Sequence, residues 1–321
     1  MDSPPAFRPA WWLPGPHAQT LWPVLFRKRS RLALRRERLE LPDGDFLDLD
    51  WAGDDERGPI VLILHGLEGS SDSHYARGLL ATVVRHGWRG VVMHFRGCGG
   101  QPNRLARRYY AADTADMAYV ADCLRRREPT VPLAAVGYSL GGNALLKWLG
   151  TARVDLPLRA AGAVSIPFRL DDTARRLQQG FSRLYQLHLL RALKRGYRAK
   201  FRHRSDGPVT LAELATIQDF HGFDDRITAP LHGYAGVHDY YTRASCRPDL
   251  RHIRIPTLIL HALDDPFMRP ATAPAASELS PSVRLELSPS GGHVGFIAGP
   301  WPWRADYWLE RRIPTFLAEH W

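Results

Sequence analysis

The stretch "AAVGYSLGGNALLKWLG" (Ala134 to Gly150) decides how this chain is read. It sets a serine between two glycines, Gly137-Tyr138-Ser139-Leu140-Gly141, where an apolar run gives way to helical spacing. Gly-x-Ser-x-Gly between a buried strand and a helix is the mark of a nucleophile elbow, a sharp turn that lifts a serine hydroxyl above the end of a sheet. The pentapeptide alone fits an ordinary strand-to-helix turn equally well. The readings separate only if the rest of the chain supplies a base, a carboxylate and an oxyanion site in the order this architecture requires.

Outward from Ser139, strand and helix patterns alternate. "PIVLILHG" (Pro59 to Gly66), "RGVVMHFRG" (Arg89 to Gly97), "RAAGAVSIPF" (Arg159 to Phe168), "RIPTLILHA" (Arg254 to Ala262) and "VRLELSPS" (Val283 to Ser290) read as strands. The continuous apolar runs among them suit strands covered on both faces. "YARGLLATVVRHGW" (Tyr75 to Trp88) and "YYAADTADMAYVADCLRRRE" (Tyr109 to Glu128) have helical spacing, and the second ends in cations, as a helix C-terminus prefers. "ATAPAASEL" (Ala271 to Leu279) reads as a short helix and "WRADYWLERRIPTFLAEHW" (Trp303 to Trp321) as a closing helix broken or kinked at Pro314. "RLELPDGDFLDLDWAG" (Arg38 to Gly53) alternates apolar and polar residues about a turn, a hairpin signature. The expected class is α/β: a mainly parallel central sheet with helices on both faces and an antiparallel edge.

One segment breaks the alternation. Residues 168–249 hold no buried-strand pattern, and "DDTARRLQQGFSRLYQLHLLRALKRGYRAKFRHRS" (Asp171 to Ser205) is helical and strongly basic. We read it as an inserted helical cap over one end of the sheet. The expected organisation is an N-terminal arm, residues 1–35, packed on an α/β domain of residues 36–321 that carries the cap.

Composition bounds the alternatives. With 321 residues, 45% hydrophobic and 24% charged, the chain is long enough for a large core and is not of disordered type. Its formal net charge is +10. Such a field favours anionic partners without choosing among them, and a solvated basic surface is the plain reading. A nucleic-acid-binding helix in the basic segment is the alternative, disfavoured by sparse aromatic residues and the lack of a reading motif. Cys98, Cys123 and Cys246 are far apart and odd in number, which suits a reducing compartment and no zinc site. No apolar segment has signal-peptide form and no run of 18 apolar residues occurs, so a cytoplasmic location is expected. Trp11-Trp12 and Leu21-Trp22-Pro23 leave open a weak contact with an anionic membrane surface, against the plainer reading of a packed arm.

The order Ser, acid, His then selects partners. "SPSGGHVGF" (Ser288 to Phe296) puts His293 in a glycine-rich loop after the last strand. "TLILHALDDPFM" (Thr257 to Met268) ends a strand and offers two carboxylates; Asp265, before Pro266, is preferred and Asp264 is the fallback. For the oxyanion, the backbone N–H of Leu140 follows the nucleophile and that of Leu67 lies in "LHGLEGSS" (Leu64 to Ser71), where His65 is expected to support the loop. No metal, nucleotide or flavin motif is present, so no cofactor is expected.

These residues, with "GPHAQTLWP", "VVMHFRGCGG", "FDDRITAPLHGY" and "DYY", make a chain that resembles the YheT-like branch of the α/β-hydrolase superfamily, a group of carboxylesterases, from Gly15 to Phe296. The resemblance implies a Ser-Asp-His triad at Ser139, Asp265 and His293. It leaves the "HAQT" segment (His17 to Thr20) without a mechanism and Arg96-Gly97-Cys98-Gly99-Gly100 as a structural turn. The expected activity is hydrolysis of small-molecule carboxylic esters of short to medium acyl chain, with no nucleic-acid partner. The competing classes are a non-catalytic binder of nucleic acid or membrane on the same fold, and a thioesterase or lipase-type hydrolase.

Overall fold

The computed structural model describes residues 6–28, 30–54, 57–153 and 155–321. The first five residues of the expected arm, and Arg29 within it, lie outside them. The chain opens with helix α1 (Pro16–Phe26) and the hairpin β1 (Arg35–Glu40) and β2 (Phe46–Ala52). There follow β3 (Ile60–Leu64), α2 (His74–Arg85), β4 (Arg89–Met93), α3 (Thr114–Arg127), β5 (Leu133–Tyr138), α4 (Leu140–Thr151) and β6 (Ala160–Val164). Between β6 and β7 (Thr257–Ala262) the described residues are helical: α5 (Leu170–Leu177), α6 (Ser182–Phe201), α7 (Leu211–Thr216), α8 (Phe220–Phe223), a π-helical turn (Asp224–Thr228), α9 (Ala229–Leu231) and α10 (Val237–Ala244), closed by a 3₁₀ segment (Arg247–His252). Strand β8 (Val283–Ser288), a ribbon of β9 (Ile297–Ala298) with β10 (Asp306–Tyr307), and α11 (Leu309–Ala318) complete the chain.

The sheet runs in the order β1-β2-β4-β3-β5-β6-β7-β8. Strand β2 is antiparallel to both neighbours, and every pairing from β4 to β8 is parallel. The expected mainly parallel sheet with an antiparallel edge is thus what forms. Strands β3, β4, β5 and β6 are buried at every residue, because helices cover both faces. Leu79, Val83, Ile313 and Phe316 of α2 and α11 pack on one face. Met117, Val120, Leu145 and Leu149 of α3 and α4 pack on the other.

Two helical expectations are corrected. Residues 271–279 form short 3₁₀ turns, Pro270–Thr272 and Ala276–Glu278, rather than a helix. Pro270 and Pro274 remove two backbone donors from a segment too short to replace them. The closing helix begins at Leu309, since Asp306–Tyr307 pairs with Ile297–Ala298. Pro314 lies inside α11 and is buried without ending it.

The turn after β4 has a concrete reason to exist. Arg96, 2% exposed, sits in a nest of carboxylates. Its guanidinium donates to both oxygens of Asp116 at 2.7 and 2.8 Å and to Asp45 at 3.0 Å, and it pairs with Asp43 at 2.8 Å. It therefore ties the β1–β2 turn to the start of α3. Asp50 does similar work beside it, accepting from His94 at 2.7 Å and from the Ser71 hydroxyl at 2.6 Å.

Helix α1 packs on the loop between β8 and β9. Buried Gln19 donates to the Ile297 carbonyl at 3.0 Å and accepts the Ile297 N–H at 2.7 Å. Close approach is the condition: a Cβ at Gly295 would collide with the Gln19 backbone.

Two stability measurements follow. Arg96→Leu strands buried carboxylates without their cation and is expected to cost about 3–5 kcal/mol in denaturant unfolding. Gln19→Ala leaves the buried Ile297 N–H unpaired, while the Ile297 carbonyl keeps the Ala10 N–H, and is expected to cost about 2 kcal/mol by the same assay.

Candidate active site

The elbow between β5 and α4 is tight because its glycines allow it. A Cβ at Gly137 would collide with the backbone of Gly141 and Gly142, and one at Gly141 with the carbonyl oxygens of Leu64 and His65. Ser139 itself sits at φ 51°, ψ −119°, a region that a residue with a side chain enters only under constraint. The turn is held by the Ser139 N–H donating to the Val164 carbonyl at 2.8 Å. It is also held by Asn143, wholly buried one turn into α4. That amide donates to the carbonyls of Ala111 and Ala244 and accepts the Cys246 N–H, so one side chain fastens α4 to two loops.

His293 stands 3.0 Å from Ser139, Nε2 to Oγ, and 2.8 Å from Asp265, Nδ1 to Oδ2. The consistent proton assignment has Nδ1–H donating to the carboxylate and the Ser139 hydroxyl donating to Nε2. Asp265 is buried, and its other oxygen accepts the Phe267 N–H at 2.8 Å. The Phe267 ring lies flat on the imidazole, centroids 3.9 Å apart and planes within 4°. Asp264 does not reach His293. It accepts the Gly292 N–H at 2.9 Å, and burial pushes its carboxyl above the ordinary value.

The loop carrying His293 is gripped at three consecutive N–H groups. Gly292 donates to Asp264, His293 to the Thr20 hydroxyl at 2.9 Å, and Val294 to the Ser165 hydroxyl at 2.9 Å. Thr20 belongs to the "HAQT" segment of α1, which the sequence left without a role. Ser165 follows β6 with φ 53°. Neither residue carries a sequence signature, because each meets a backbone group rather than a side chain.

The loop after β3 presents a matching arrangement. The Gly66 N–H donates to the Tyr75 hydroxyl at 2.8 Å and the Glu68 N–H to the Tyr109 hydroxyl at 2.7 Å. Between them the Leu67 N–H, like that of Leu140 at the first position of α4, enters none of the hydrogen bonds among the described residues. Glu68, at φ 52°, is pinned further by Arg108 at 3.0 Å, and Arg108 also donates to the Leu193 carbonyl of α6 at 3.2 Å. His65 supports the loop: it bonds the Gly66 carbonyl at 2.7 Å and accepts the Phe95 N–H at 3.1 Å. Burial pushes its pKa down to about 3, so it stays neutral.

Two cavities meet at Ser139 and His293. One is mainly apolar, walled by residues such as Leu140, Leu170, Leu177, Phe220, Ile227 and Leu231. Asp224 is the one carboxyl among its described lining residues. Asp224 accepts from the hydroxyls of Thr228 at 2.7 Å and Tyr241 at 2.8 Å, and burial pushes it up to about 6. The other cavity is a groove between α1 and α6, bordered by Leu21, Val24, Leu25, Phe181, Leu184 and His188. No group of His, Cys, Asp and Glu among the described residues has the arrangement of a metal site.

The chain is similar in sequence and fold to known proteins. Residues 59–300 match a family model described as the alpha/beta hydrolase fold. The chain is 45% identical over 308 residues to "Putative esterase YheT" of Escherichia coli (strain K12), covering 95% of this chain and 90% of that one. It is 30% identical over 320 residues to "Phospholipase ABHD3" of Homo sapiens, covering 97% of this chain and 78% of that one. Among solved structures, the Pyrococcus furiosus esterase Pf2001 is similar in fold, with a TM-score of 0.57 at 15% identity over 99% of both chains. By sequence and by fold, the chain belongs to the α/β-hydrolase family, in its YheT-like branch.

Proposed function

We propose that the protein hydrolyses carboxylic esters through a Ser139–His293–Asp265 triad and an acyl-enzyme. The observation that carries this reading is the unbroken hydrogen-bond chain from Ser139 Oγ through His293 to buried Asp265, beside two unspent N–H groups. His293 Nε2 takes the Ser139 proton as Oγ attacks the ester carbonyl, and Asp265 holds the tautomer and stabilises the imidazolium. The Leu67 and Leu140 N–H groups receive the oxyanion, the latter at a helix N-terminus whose dipole favours negative charge. His293 then protonates the leaving alcohol, and a water activated by the same imidazole releases the acid.

In this reading the apolar cavity under the cap takes the acyl chain and the groove takes the alcohol. Residues 168–249 act as the cap that sizes the acyl chain, and the N-terminal arm of residues 1–35 holds the base loop through Gln19 and Thr20. Relatives named esterase and phospholipase support the reaction class. The groove's apolar banks favour esters with a greasy alcohol portion. A non-catalytic role is disfavoured by the strained φ of Ser139, which an inert turn does not require.

A fluorophosphonate probe is expected to label Ser139, and a panel of p-nitrophenyl esters to be hydrolysed with kcat lowered on the order of 10⁴-fold or more in Ser139→Ala. Folded protein that takes no label, or activity that survives the substitution, refutes the proposal. Asp224 gives a pH test. The Asp224 carboxyl is neutral below about pH 6 and gains a charge above it, and an apolar chain beside it deepens its desolvation. The kcat/KM ratio of octanoyl to acetyl ester is therefore expected to fall as pH rises through 6, by on the order of tenfold for one pKa unit of further shift. In Asp224→Asn the ratio stays flat; an equal pH dependence in both proteins removes Asp224 from the acyl site.

A further inference from the structure

The basic residues behind the net charge of +10 are not spread evenly along the chain. Residues 6–36 hold seven Lys and Arg and no Asp or Glu, and residues 173–205 hold ten and none. Together they carry 17 of the 43 basic residues and none of the 33 acidic ones, so the remainder of the chain is net acidic. These two stretches contain α1 and α6, the two banks of the groove that reaches Ser139. They touch directly: His17 bonds the Tyr185 hydroxyl at 3.1 Å, and its ring lies 4.4 Å from that of Phe181.

The same banks expose large apolar side chains. On α1 these are Val24, Leu25 and Phe26, each more than 60% exposed. Beside and along α6 they are Phe181, Leu184 and Leu187. The outward stripe of α6 reads Arg183, Leu184, Leu187, His188, Arg191 and Arg195, all exposed. Its four leading positions mix cation and leucine, and its arginines form no ion pair among the described residues. An aromatic ridge continues from the α1 bank. Phe26 contacts Trp22 at 4.5 Å and Trp22 contacts Trp12 at 4.7 Å. Trp11 next to it contacts Trp301 at 5.3 Å, which contacts Trp303 at 5.8 Å. Trp303 is 78% exposed and Trp11 69%.

We propose that this face, formed by α1, the outward stripe of α6 and the Trp11–Trp301–Trp303 ridge, docks on an anionic lipid bilayer and opens the groove toward it. Exposed leucine, valine and phenylalanine gain nothing from a sugar–phosphate backbone, whereas they gain from the acyl boundary of a membrane. Tryptophans settle at the level of the headgroups, and unpaired cations beside them are drawn to anionic lipid. A helix with apolar and basic residues on one outward face lies in that interface rather than across it. No helix among the described residues is long and apolar enough to cross a membrane. An ester held in such a membrane would reach Ser139 through the groove without crossing water; this consequence, unlike the docking itself, rests on the proposed esterase activity.

Co-sedimentation with vesicles tests the docking without reference to activity. The full chain is mixed with vesicles of phosphatidylcholine alone or with 30% phosphatidylglycerol, at low and high salt. The anionic vesicles are expected to pellet the protein at least tenfold more strongly, with the difference shrinking at high salt. The double variant Phe26→Glu, Leu187→Glu, whose sites line neither cavity, is expected to lose binding by tenfold or more. It should keep its melting temperature and its rate on a water-soluble acetyl ester. Trp303→Ala, remote from α6, is expected to weaken binding by a smaller factor. Failure to pellet with anionic vesicles overturns the proposal, as does pelleting that ignores the Phe26 and Leu187 substitutions. Duplex DNA that retains the protein more tightly than the vesicles at the same salt also overturns it, and assigns the cations to nucleic acid.

Discussion

Three neighbouring peptide N–H groups, those of Gly292, His293 and Val294, hold the site together by donating to side chains from three separate parts of the chain. An imidazole must be placed to within a fraction of an ångström and a few degrees to serve a hydroxyl on one side and a carboxylate on the other. A glycine-rich loop cannot do this unaided, since its backbone has too many accessible conformations. Asp264 anchors it from the β7 side, Ser165 from the β6 side and Thr20 from α1. The flat stack of Phe267 then removes the remaining rotation of the ring.

The two aspartates of "LDDPF" thereby divide one task. Both side chains face the base loop, but Asp265 meets the imidazole and Asp264 meets the backbone one residue earlier. A pair of adjacent carboxylates would repel if both were asked to serve the ring. Placed as they are, one meets Nδ1 of the ring and the other accepts a peptide N–H.

The parts of this arrangement legible in the sequence were those with a fixed chain order and a local pattern. The buried apolar runs marked the parallel strands, and the Gly-x-Ser-x-Gly turn with a later Asp and a still later His marked the residues that meet. What was not legible is what meets backbone. Thr20 lies 273 positions from His293, and a threonine that accepts a peptide N–H looks like any other threonine. Asn143 fastens two loops through carbonyls and one N–H, and is equally anonymous. Arg96 was readable as a turn but not as the centre of three carboxylates, because Asp43, Asp45 and Asp116 converge only after the hairpin has folded against α3. The short helix expected at 271–279 failed for the opposite reason: its composition was helical, but its prolines were not given their full weight.

The bond from Arg108 to the Leu193 carbonyl has a consequence for how such enzymes can be remodelled. The helical insertion is not a detachable module that sits over a finished catalytic floor. Through Arg108 and Glu68, one turn of α6 braces the loop that leaves the Leu67 N–H unspent. Grafting a foreign insertion to change which substrates fit would also replace that brace, so selectivity and turnover are inherited together and cannot be exchanged one without the other.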